Sequence, residues 1–131
     1  MRHSFVRFVT PVLDKHAGRR LGSFTLAYGL IDADVLSKND REELQILLKW
    51  FEAHLAEPDR LARGQRKHAS PRAISWFRSS ATEHIKRMRS MCRILNEHGI
   101  RTEMITSARP GYIVFEDEHQ VAAVPFKETT T

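Results

Sequence analysis

The chain holds a single cysteine, Cys92, among 131 residues. An internal disulfide is therefore excluded, and with it the class of small secreted domains held by cross-links. A reducing, cytoplasmic setting is expected. Long apolar runs are also missing. The longest uncharged stretch of the N-terminal half, Leu21 to Ile31, has 11 residues, short of the roughly 20 a helix needs to cross a bilayer. No membrane partner is expected. Residues Met1 to Asp14 set Arg2 and Arg7 within a short alternating apolar pattern rather than a continuous apolar core, which is not the build of a signal peptide.

Chemical signatures are absent as well. The glycines form neither GxGxxG nor GxxxxGK[ST], and Gly18 and Gly22 suit turn and strand roles, so nucleotide binding is not indicated. Seven histidines (His3, His16, His54, His68, His84, His98, His119) show no HExxH or Cys/His ligand spacing, so neither a zinc site nor any other cofactor is expected. There is no internal repeat and no low-complexity tract.

What is present is the balance of a folding chain. Hydrophobic residues make up 41% and charged residues 28%, away from the disordered regime. The length suits one domain over residues 1–131. The net charge of +5 is unevenly spread. Between Arg60 and Arg101 there are eleven Lys or Arg against two acids, Glu83 and Glu97, whereas the rest of the chain is net acidic by four. The basicity therefore belongs to one block and not to a general solubility bias.

Residues Phe5 to Thr10 alternate loosely, and Phe24, Leu26, Tyr28 and Leu30 alternate with Ser23, Thr25, Ala27 and Gly29. This period of two predicts an N-terminal β-hairpin turning at residues 14–18, with Pro11 ending the regular pairing of its first strand. Asn39 with Glu42 is a capping-box signature. Leu44, Leu47, Leu48, Phe51 and Leu55 then recur on one helical face, up to a stop before Pro58. Residues 59–72 lack either period and read as an exposed basic loop. A strand is predicted over residues 73–77. A helix follows, opened by a capping box of Ser80 and Glu83 and closed by Gly99 as the residue past its C-terminus. Three short strands end the chain, separated by the Arg109-Pro110-Gly111 turn and the acidic Glu116-Asp117-Glu118-His119 turn. The fold class is α+β: a single-layer mixed, mostly antiparallel sheet with two main helices on one face, order ββα-loop-βαβββ. Residues 73–106 would make a right-handed crossover if their two strands run parallel in one sheet.

The runs Ile74-Ser75-Trp76-Phe77, Glu83-His84-Ile85 and Arg109 to Glu118 resemble a group of small bacterial proteins of unassigned function. The resemblance covers about the C-terminal half and the Phe5-to-Tyr28 hairpin, and implies no activity and no site residues.

The second helix carries the most informative pattern. At 100° per residue, Ala81, Ile85, Met88, Cys92 and Leu95 share one face, and Lys86, Arg89 and Arg93 gather on the opposite one. With the loop cations Arg63, Arg66, Lys67 and Arg72, this stripe is suited to phosphates, whose contact needs cation density but no fixed motif. The plain alternative is a charged face that solvates the helix. The expectation is a non-catalytic binding protein whose basic face meets nucleic acid or an acidic protein surface. Trp76 and Phe77 could stack on unpaired bases, but their run reads first as strand core. Cys92, on the apolar face, reads as packing rather than as a nucleophile. The three acids of the last turn lack metal-loop spacing and read as a solvated hairpin tip.

Two alternatives stand beside the binder. One is a small enzyme with a polar cleft gathering His84, Arg109 and Tyr112. The other is a homodimeric or protein-docking module. It would use a second apolar flank of the first helix, Ile46 and Trp50 with Ala53, because tryptophan is enriched at interface centres. Trp50 packed against residues 73–77 or under the loop would remove that role.

Overall fold

In the computed structural model, residues 4–14, 19–55, 73–129 and 131 are described, those at 12–14 and 19–21 by their backbone alone. The elements run β1 (Phe5–Asp14), β2 (Arg19–Gly22), α1 (Ser23–Ala33), α2 (Lys38–His54), β3 (Ile74–Arg78), α3 (Thr82–Glu97), β4 (Glu103–Ser107), β5 (Tyr112–Glu116) and β6 (Gln120–Val124). The class is α+β. Five strands are hydrogen-bonded in the order β2-β1-β3-β6-β5, with β4 against β1. The pairs along that path are antiparallel. The neighbours of β3 are β1 and β6, so the crossover over residues 73–106 joins strands that both pair with β1. The predicted loop at 59–72 lies outside the described residues.

The described residues form three helices where the sequence pattern gives two. The alternating run from Ser23 to Leu30 is helical, and the second strand of the hairpin is the preceding Arg19–Gly22. The alternation put Ala27 on the polar side and Tyr28 on the buried side. In α1 Ala27 is fully buried, as is Ser23 one turn earlier, and Tyr28 is 42% exposed. Small residues four apart make a smooth face that packs closely, and Ala and Leu favour the helix over the strand. Asp34, in the left-handed region with φ 56°, ends the helix by donating its N–H to the Ile31 carbonyl.

The chain divides into two compact units. The first comprises Met1–Arg7, Leu55–Ile85 and Met104–Thr131, and the second Phe8–His54 and Lys86–Glu103. The first unit is built on sheet. Trp76 pairs with Val121 and Phe77 with Gln120, and Val6, Ile74, Trp76, Phe77, Val121, Ala122 and Ala123 are buried. Arg78 ties β3 to the β5–β6 turn. Its amide and Nε–H donate to the carbonyls of His119 and Asp117, and its Nη2 lies 2.7 Å from Glu116 Oε1. Between β5 and β6, Asp117 Oδ1 accepts the amides of His119 and Gln120 at 2.8 and 2.9 Å, so this acid closes the turn. Gly111 has φ 141°, and a Cβ there would collide with the Val124 carbonyl oxygen. Glycine is thus required where the Pro110-Gly111 turn passes the end of β6.

The second unit holds most of the helical residues together with β2 and the greater part of β1. Leu44, Leu47, Leu48 and Phe51 of α2 are buried with Met88, Cys92 and Leu95 of α3, as both apolar faces predict. Met91 and Ile94, outside the predicted face, are buried too, and the predicted Ile85 and Leu55 are only half-buried. Each buried side chain contributes about 1.5–3 kcal/mol on leaving water. The Phe24 ring of α1 meets Phe51 edge-on at 5.0 Å. The cap of α2 is Ser37, whose Oγ accepts the Asp40 amide at 3.2 Å, two residues before the predicted Asn39 cap. The α3 terminus follows the prediction. Gly99, φ 80°, donates to the Asn96 carbonyl and Ile100 to that of Leu95, the paired bonds of a Schellman closure. The regular pairing of β1 is broken around Pro11 as expected, and it resumes beyond it. The strand continues to Asp14, and the β1–β2 register shifts between Val9 and Leu13, the interval that contains Pro11.

Candidate nucleic-acid interface

Helical geometry puts Lys86, Arg89 and Arg93 on one side of α3, three and four residues apart, and all three are exposed. Their surroundings differ. Arg93 is clamped by two carboxylates, with Nη2 at 2.7 Å from Glu43 Oε2 on α2 and Nη1 at 3.0 Å from Glu97 Oε2. These partners hold its pKa above the ordinary arginine value, Glu43 acting most strongly. Arg93 with Glu43 and Glu97 therefore sums to a single negative charge.

Beside that stripe lies an aromatic cluster. The Arg87 guanidinium stands over the Trp50 ring, 4.3 Å from its centroid. The His54 ring stacks on the indole at 4.4 Å and 18°, and Phe51 meets it edge-on at 5.2 Å. Trp50 is half-buried and Ile46 is 64% exposed. The flank singled out for docking thus has Ile46 in the open, while much of the Trp50 surface is in contact with Arg87 and His54. The Trp50–His54 spacing of one helical turn is legible in the sequence. The approach of Arg87 and of Glu43 is not, because it depends on how α2 and α3 pack.

The other cations of the basic block divide clearly. Arg78 is bonded to Glu116, and Arg101 is exposed. Arg63, Arg66, Lys67 and Arg72 lie outside the described residues. Trp76 is 1% exposed and Phe77 7%, so both are strand core. The Trp76 Nε1–H has no hydrogen-bond partner among the described residues.

The residues considered for catalysis separate within the first unit. His84 is buried, its ring 4.3 Å from that of His119 and 6.0 Å from that of Phe77, next to the β5–β6 turn. Arg109 and Tyr112 gather instead around Phe126, at 4.9 and 4.6 Å. That is the other end of the hairpin, where Tyr112 pairs with Val124. Five residues of extended chain, at about 3.3 Å each, lie between. An open recess of about 290 Å³ lies against Arg109 and Phe126, lined also by Thr106, Ser107, Glu128 and Thr129. His84 is not among its walls.

Cys92 is buried in the second unit. Its Sγ is 3.8 Å from Ser23 Oγ, which donates to the Phe8 carbonyl at 3.5 Å. Burial pushes the thiol pKa up, against smaller opposing effects of hydrogen bonding with Thr102 and Ser23 and the charge of Arg89. A protonated buried thiol is a poor nucleophile. No group of three His, Cys, Asp or Glu suited to a metal occurs among the described residues, and no helix there is long and apolar enough to cross a membrane.

Comparison with known protein families, curated proteins and solved structures finds no match. The functional reading therefore rests on the geometry of α3 and its surroundings alone.

Proposed function

We propose that the protein is a non-catalytic nucleic-acid-binding protein that meets phosphates through Lys86 and Arg89, joined by the cations of residues 59–72. The observation that supports this reading is the exposure of Lys86 and Arg89 on one face of α3 within a single turn. Their long side chains can reach neighbouring phosphates of one strand, and Arg87 lies on the indole beside them. Such contacts position a backbone without reading its sequence. Arg93 contributes less, because its guanidinium already engages Glu43 and Glu97.

Titrations with generic single- and double-stranded DNA and RNA over a range of salt test the reading. Affinity is expected to fall linearly on a log–log plot. Replacing Lys86 and Arg89 together is expected to reduce the slope by about 1.4–1.8, two counterions' worth. Affinity indifferent to salt would overturn the proposal, and equal competition by polyglutamate would move the partner to an acidic protein surface.

A further inference from the structure

We propose that β5 is a self-association edge along which two copies of the chain join antiparallel, Arg109 of each reaching the acidic turn of the other. β5 is last in the strand order and, among the described residues, has β6 as its one strand partner. Its other edge therefore presents backbone N–H and C=O groups in the direction a further strand would take. The run Tyr112-Ile113-Val114-Phe115 carries none of the charges or prolines that usually blunt such an edge. Tyr112 is 68% exposed and Ile113 45%, so apolar area accompanies the backbone groups. A register shift between Ile113 and Phe115 bends the strand, which keeps the regular ladder short.

Charge chooses the partner and its direction. The strand is preceded by the exposed Arg109 and followed by Glu116, Asp117 and Glu118. Arg78 occupies Glu116, and Asp117 Oδ1 is taken by two amides, whereas the Glu118 side chain is 87% exposed. Its Oε1 lies 3.6 Å from His119 Nε2, a loose contact that leaves the second oxygen facing outward. A twofold axis near Val114 sets Tyr112 of one copy opposite Glu116 of the other, so that Arg109, just before one strand, stands at the end that carries the other copy's Glu118. The attraction then occurs twice, once at each end, as an isologous pair requires. Parallel pairing would instead align like charges. A second copy thus complements this edge with no residue changed.

Sedimentation velocity from micromolar to millimolar protein, without nucleic acid, tests this. A concentration-dependent dimer is expected, because so short an edge buries less than the roughly 1,200 Å² of a standard stable interface. Ile113→Lys should raise the dimer Kd by about tenfold or more, with far-UV circular dichroism checking the fold. Arg109→Glu and Glu118→Arg should each weaken the dimer by several-fold at low salt, and the two together should restore it. The charge pair keeps the test decisive should Ile113→Lys not fold. A monomer at every concentration would overturn the proposal. So would a dimer that ignores all three substitutions. Lys86→Glu with Arg89→Glu should leave the dimer intact, which separates this surface from the proposed nucleic-acid face.

Discussion

The two compact units each contain one tryptophan, in opposite circumstances. In the first unit Trp76 is 1% exposed in the middle of the sheet, in a unit whose buried residues include the polar His84 of α3 and Gln120 of β6. In the second, Trp50 stands half-exposed at the rim of a core of aliphatic and sulfur side chains, covered by a cation. The same residue is thus structural where strands from distant parts of the chain enclose it. On a helix flank it belongs to the electrostatics of the surface. Charge separates the two units further: the first buries Arg7, whereas, among the described residues, the buried polar side chains of the second, Thr10 and Ser23, are neutral.

Replacing each tryptophan tests the contrast directly. Trp76→Ala is expected to cost about 3–5 kcal/mol of stability, the range for emptying a large aromatic site, and denaturant unfolding should read it as a lowered midpoint. Trp76→Phe should cost far less, because its N–H forms no hydrogen bond with the described residues and burying such a donor is itself unfavourable by about 1–3 kcal/mol. If the phenylalanine variant loses as much as the alanine one, an unseen partner holds the indole. Leu44→Ala in the second unit should cost about 2–5 kcal/mol, since Leu44 is fully buried. For Trp50 and Arg87 a double-mutant cycle should yield a coupling of only about 0.5–1 kcal/mol, the scale of an exposed cation–aromatic pair. A coupling near zero would separate the contact from stability altogether.

The smallest expected effect concerns pH. Burial raises the Cys92 pKa in the folded state, so the unfolded chain releases this proton at lower pH than the folded one. The stabilisation is complete below the ordinary thiol value and declines as pH rises through it. Cys92→Ala should remove that alkaline decline from a stability–pH profile. An unchanged slope would assign it to other groups.

Why the helical unit was more legible than the sheet unit is a matter of range. The faces of α2 and α3 follow from residues three and four apart, and Gly99 closes α3 as its position predicts. α1 misled because Phe24, Leu26, Tyr28 and Leu30 satisfy a period of two as well as a helix, and only the burial of Ser23 and Ala27 decides between them. Strand order was not legible, since β1 pairs with β3 across many intervening residues. Of the candidate site, the exposure of Lys86, Arg89 and Arg93 could be read from the wheel. The clamp on Arg93 could be read only in part. Glu97 lies one turn away on the same helix, whereas Glu43 arrives from α2.

That clamp provides the most direct test of the proposed nucleic-acid face. Single-stranded RNA binding at low salt is compared for Lys86→Glu with Arg89→Glu and for Arg93→Glu, each checked for folding. The account predicts a loss of at least about tenfold, or about 1.4 kcal/mol, for the first variant and a much smaller loss for the second. Equal losses in the two, or none in the first, would contradict it.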